Sequence, residues 1–144
     1  MPRSLLPLLL LLPTPALSEP FSLTILLSSH HVNATIPFNE TNPGLILTYS
    51  PAESPLAYSI GTYLNSYSRQ TTAAFIHYEL FHGLEAVAGL AHYPIDGRSF
   101  PISIGDTIPL IGLRVQLGPV SILALPSDGI YTDAILAFGY TLEF

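Results

Sequence analysis

The chain has 144 residues, of which 49% are hydrophobic and only 10% charged, with ten acidic residues against four arginines and no lysine. That length suits one domain, and so few basic residues exclude an extended nucleic-acid footprint. No cysteine is present, which excludes disulfides, thiolate metal sites and thiol nucleophiles.

Residues 1–20 read MPRSLLPLLLLLPTPALSEP, with one arginine, an apolar run from Leu5 to Leu12 and a small-x-small site at Ala16-Leu17-Ser18. This is the layout of a secretory signal peptide, and its apolar run is too short to cross a bilayer as a helix. Pro7 and Pro13 oppose a structural helix there. Residues 1–18 are therefore expected to be a cleaved leader, and 19–144 a single β-barrel domain.

From Phe21 onward there is no sustained 3.6-residue apolar stripe, while alternation with period two recurs. Turn signals divide the chain into strands expected at about 22–29, 44–50, 56–65, 70–81, 84–93, 107–117, 119–126 and 134–144. In the third, Leu56, Tyr58, Ile60, Thr62 and Leu64 oppose Ala57, Ser59, Gly61, Tyr63 and Asn65. In the last, Leu136, Phe138, Tyr140, Leu142 and Phe144 oppose Ile135, Ala137, Gly139, Thr141 and Glu143. The fold class is all-β, a single eight-stranded antiparallel up-and-down barrel with short turns at one rim and mostly longer loops at the other. The expected strands at 44–50 and 119–126 fall short of the ~9–11 residues of a tilted membrane strand.

One face of each strand is large and apolar, and the other is small or polar with few charges. A water-soluble exterior needs more charge than this. With the apolar faces turned to lipid, the small and polar residues fill a narrow lumen, so an exported, monomeric outer-membrane barrel is expected. A soluble periplasmic lipid-binding barrel is the alternative.

The ending GYTLEF resembles the C-terminal signal of bacterial outer-membrane barrels, through Gly139, Leu142 and Phe144. The resemblance implies recognition by the barrel-assembly machinery, although Phe138 stands where that signal often has a polar residue. FNETNPGL at 38–45 and YLNSYSR at 63–69 resemble a family of small exported barrel proteins of proteobacteria and their phages. Together those motifs imply an architecture more than an activity.

If the termini lie at the periplasmic rim, HHVNATIPFNETNPG and LNSYSRQ lie at the outer rim. Asn39, Asn42, Pro43 and Gly44 suit a turn into the second strand, and Asn65, Ser66 and Ser68 suit a tight hairpin. The functional alternative is an acyl-transfer or hydrolytic site with Ser66 or Ser68 as nucleophile, His30 or His31 as base, and Glu40 orienting the imidazole. Asn39, Asn42, Asn65 and Tyr67 would then contact substrate, and Arg69 would hold a phosphate or carboxylate. Lipid A palmitoyltransferases and deacylases are eight-stranded outer-membrane barrels to which this chain is similar in architecture. The deacylases' His-x-Ser-Asn run is absent.

A second cluster is expected in the lumen, where His77, Glu79, Glu85, Arg114 and Glu143 form either an ionic plug or a path for protons or ions. The five histidines have no metal-ligand spacing and read as exposed loop residues, and Asp96, Asp106, Asp128 and Asp133 lack EF-hand order, so neither metal nor cofactor is expected. The sequence thus points to a barrel that binds or modifies outer-leaflet lipid or lipopolysaccharide, with lipid A acyl-chain chemistry as one form. A non-catalytic barrel for adhesion, masking or phage exclusion is the alternative.

Overall fold

The computed structural model describes residues 20–127 and 129–144, so the expected leader at 1–18 lies outside the described residues. Eight strands follow one another: β1 (Phe21–Val32), β2 (Thr41–Tyr49), β3 (Leu56–Leu64), β4 (Gln70–Phe81), β5 (Leu84–His92), β6 (Thr107–Leu117), β7 (Val120–Pro126) and β8 (Ala134–Glu143). Each pairs antiparallel with the next, and β8 returns to β1, closing an up-and-down barrel. A 3-10 turn at Gly97–Ser99 interrupts the β5–β6 loop.

Period-two alternation decides which side chains enter the barrel. Ser59 is 3% exposed and its neighbour Ile60 is 65% exposed. The same division runs around the wall: Thr24, Thr48, Ala73, His77, Val87, Ser121 and Thr141 are buried, whereas Leu47, Tyr58, Ile76, Leu90, Leu113 and Leu142 are exposed. Eight strands leave room for little more than side chains, so small residues face inward. At Gly89 a Cβ would collide with the Ala74 carbonyl and the Phe75 ring. Ala73, Phe75, Val87, Ala91 and Ile108 form the apolar centre of the lumen.

Strand boundaries depart from expectation where side-chain hydrogen bonds extend a strand. β1 continues to Val32 and β2 begins at Thr41, because the Ser29 N–H donates to the Glu40 carbonyl and Asn42 is anchored from its side chain. His30 and His31 are therefore strand residues rather than loop residues, and Asn42, Pro43 and Gly44 continue a strand rather than make a turn. With nine residues β2 reaches the length of a tilted membrane strand, while β7 has seven.

Irregularities shape the wall, among them a register shift between Glu79 and Phe81 where β4 turns into β5. On β1 the register shifts between Leu26 and Ser28 against both neighbours, a β-bulge that brings Thr24 and Leu26 inward before it and Ser29 and His31 inward after it. The β6–β7 ladder holds only five pairs, from Leu117↔Val120 to Leu113↔Ala124. On its other side β6 pairs with β5 all the way to His92↔Thr107.

Candidate functional site

The lumen has two ends of different chemistry. Near the short-turn rim, register sets Glu85 directly opposite Arg114 and places Ser59 and His77 on adjoining inward positions of β3 and β4. Ser59 Oγ lies 2.8 Å from Thr48 Oγ1 and 2.6 Å from His77 Nε2. His77 Nδ1 is 3.0 Å from Glu85 Oε2, and that oxygen also accepts a 3.0 Å hydrogen bond from Arg114 Nη1. Arg114 Nη2 donates to Gln116 Oε1 at 2.7 Å and to Thr141 Oγ1 at 3.2 Å, and Thr141 meets Thr24 at 2.9 Å.

A serine, a histidine and an acid stand here in the order of a catalytic relay. The Ser59 hydroxyl is nevertheless buried and shared between Thr48 and His77, while Glu85 is also bonded to Arg114. This end is a polar plug in which each charge has a partner. Of the residues expected in it, His77, Glu85 and Arg114 come together. Glu79 and Glu143 lie exposed near the same rim, without an ion pair among the described residues. The neutral members Thr48, Ser59, Gln116 and Thr141 were not singled out in the sequence, although Ser59 and Thr141 sit on the small, polar faces of its alternating strands.

At the long-loop rim a cavity of about 280 Å³ opens among His31, Phe38, Tyr67, Tyr93, Phe100, Ile108, Leu125 and Thr132. Its walls are mainly aromatic and aliphatic. Phe38 stacks on His31 with ring centroids 4.0 Å apart, Tyr67 meets Phe38 and Phe100 edge-on, and Tyr93 meets Phe100 at 5.7 Å. The Tyr63 and Tyr93 hydroxyls lie 3.3 Å apart, and burial pushes the Tyr93 phenol above its ordinary range. The signal for this cluster in the sequence was the excess of aromatic residues, without the pairing needed to gather them.

His31 is 3% exposed, and neither ring nitrogen makes a hydrogen bond. Glu40 Oε1 accepts the His31 backbone N–H at 2.9 Å and lies 3.4 Å from His30 Nδ1 and 3.5 Å from His31 Nδ1. The backbone bond, aided by the two imidazoles, holds the Glu40 carboxyl below the usual carboxylate range.

The expected catalytic residues are thus partly assembled. His30, His31 and Glu40 meet, and Ser66 lines the same cavity as His31. Ser68 is exposed on the hairpin with φ 62°, and no hydrogen bond joins Ser66 or Ser68 to either imidazole among the described residues. The expected substrate contacts are largely engaged in structure. Asn39 accepts the Thr41 N–H, Asn42 ties Ser29 to the Asn39 and Leu64 carbonyls, and Asn65 accepts the Tyr67 and Arg69 N–H groups across the hairpin. Arg69 is bonded to Asp96 at 2.6 Å, and Tyr67 lines the cavity.

Further ion pairs brace the rim. Arg98 grips Asp106 with both Nε and Nη2, at 2.9 and 2.7 Å, which holds that carboxyl far below its ordinary range, and Asp133 accepts from Asn33. Asp128 lies outside the described residues. His77 is a lumen residue and not an exposed loop histidine, and no group of three or more His, Cys, Asp or Glu able to hold a metal occurs among the described residues.

No family model matches the chain, and no curated protein does either.

Proposed function

We propose that this protein is an exported outer-membrane β-barrel that holds the hydrocarbon part of one outer-leaflet lipid in its rim cavity. One observation carries the reading: the side chains are arranged inside out for water, with large apolar residues such as Ile60, Ile111 and Leu113 exposed and Glu85 and Arg114 turned into the lumen. Closure of the barrel satisfies the strand edges that lipid would penalise, and crossing is by strands. The resemblance of FNETNPGL and YLNSYSR to exported barrel proteins is compatible with the same reading. In this frame the plugged end faces the periplasm, and the cavity faces the outer leaflet.

Fractionation tests the membrane step. Recovery of the mature protein with outer membranes, released only by detergent, is expected; recovery from the soluble periplasm without detergent would overturn it. A second reading, acyl-chain transfer or hydrolysis, has one observation in its favour, that Ser66 and His31 both line the rim cavity. Mass spectrometry of lipid A from cells with and without the protein tests it, and unchanged acylation leaves binding without chemistry.

A further inference from the structure

We infer that the aromatic part of the rim cavity is a box for a methylated ammonium cation, which Phe38, Tyr67, Tyr93 and Phe100 enclose. The inference rests on the ligand-binding reading above and names the charged group that accompanies the hydrocarbon.

The four rings line one space and meet nearly at right angles. Tyr67 stands at 70° to Phe38 and at 89° to Phe100, with centroids 6.0 and 6.3 Å away, and Tyr93 stands at 89° to Phe100. Rings that follow one another this way close a space as walls do. A methylated ammonium suits such a space, because its methyl groups fill the volume while its charge lies within about 6 Å of several ring centroids. The walls are also held in place before any ligand arrives. The Tyr67 N–H donates to Asn65, the Tyr93 N–H to the Asp106 carbonyl and the Phe100 N–H to the Gly97 carbonyl, and His31 stacks on Phe38. Little ordering cost is left for binding.

Charge selects the sign of that ligand. The described carboxylates of the long-loop rim are Glu40, Asp96, Asp106 and Asp133, against the guanidiniums of Arg69 and Arg98. Asp96 already holds Arg69 and Asp106 already holds Arg98, while Arg114 is tied to Glu85 at the other end, and the chain has no lysine. Each described arginine thus has a carboxylate of its own, and a phosphate arriving at the rim meets a negative surplus. Glu40 supplies part of it beside the wall, 3.5 Å from the His31 ring that backs Phe38.

The rest of the lining separates the two parts of the ligand. The four rings come from the connections after β1, β3 and β5, whereas the aliphatic side chains Ile108, Leu110, Leu125 and Ile135 belong to β6, β7 and β8. The rings therefore stand at the rim and the hydrocarbon wall lies within the barrel. An aliphatic wall accepts any tail of suitable width; rings with carboxylates around them distinguish a cationic head from an anionic one.

The folded barrel in non-ionic detergent is titrated with choline and with its neutral carbon isostere, in which a tert-butyl group replaces trimethylammonium. Saturation transfer from the protein to the methyl protons gives both affinities, and the wild-type comparison needs no variant. Choline is expected to bind several-fold more tightly than the isostere. Phe100→Leu should erase that preference with the heat-modifiable folded band retained, and Glu40→Gln should weaken choline alone. Dihexanoyl phosphatidylcholine and dihexanoyl phosphatidylglycerol then separate the sources: a preference for the former assigns the cation to a lipid head, and equal binding assigns it to a free ammonium compound. Equal affinity for choline and its isostere, or no binding of either, would overturn the box, as would an undiminished preference in folded Phe100→Leu. Lipid retained through purification reports on the hydrocarbon reading separately, so its presence beside a failed choline test leaves that reading standing, and its absence removes both.

Discussion

His77 and His31 are both buried imidazoles on inward strand positions, 6% and 3% exposed, yet their surroundings are opposite. His77 has Ser59 on one nitrogen and Glu85 on the other, within a chain of bonds that crosses the lumen from Thr48 to Thr24. His31 has an aromatic ring against its face, the Glu40 carboxylate 3.5 Å from Nδ1, and no partner on Nε2. A buried polar group left without a partner costs about 1–3 kcal/mol, so a fold that keeps one is not optimising stability at that point. The plugged end holds the barrel together, and the cavity end leaves an interaction open for something else.

Substitutions can break that contrast, and the largest effect belongs to the plug. Arg114→Met should destabilise the folded barrel by about 3–5 kcal/mol, because Glu85 keeps its charge without its partner. Adding Glu85→Gln should recover part of the loss, since the stranded charge is then gone. Denaturant titration followed by the heat-modifiable band on gels measures both, and equal losses in the single and double variants would show that the ion pair is not the source. Ser59→Ala comes next, at about 1–3 kcal/mol, because it strips His77 Nε2 of its bond in a buried place.

His31→Phe is the sharpening experiment. It removes the bare Nε2 and the Nδ1 contact with Glu40 together, and its apolar ring can still stack on Phe38, so stability should change by less than about 1 kcal/mol while retention of lipid through purification falls. A loss as large as that of Ser59→Ala would mean that His31 has a structural partner and that the contrast is false.

The smallest effect lies in the exposed brace. Arg98 holds Asp106 below the ordinary Asp value of about 3.9. With the folded pKa depressed, the pair's contribution is full above the unfolded value and is lost as pH falls through the folded one. The loop at 93–106 should therefore stay protected from hydrogen exchange through neutral and mildly acidic pH and loosen only in strong acid. Asp106→Asn should loosen it at neutral pH with little change in global stability.

How much of this was legible depends on the range of the interaction. Alternation in 56–65, 70–80 and 134–144 is local, and it marked the strands, their faces and the inward set that contains His77 and Arg114. The rim cavity is assembled from five separate segments, so Phe38, Tyr93, Phe100 and Thr132 had no common pattern to announce them. The ends of β1 and β2 were misjudged because Asn42 reads as a turn former, while its side chain here bonds Ser29 and the Asn39 and Leu64 carbonyls.

The bulge beside Leu27 carries one more consequence. Between Leu26 and Ser28, β1 uses two residues against one of β8 and against three of β2, and the break in alternation chooses which member of the His30-His31 doublet enters the barrel. Strict alternation from Thr24 with Leu27 kept would turn Leu26, Ser28 and His30 inward and send His31 out to the wall, whereas deleting Leu27 removes the extra residue and leaves Ser29 and His31 facing in. The adjacent histidines thus stand one frame apart, and the bulge, rather than the identity of either residue, determines which one the cavity receives.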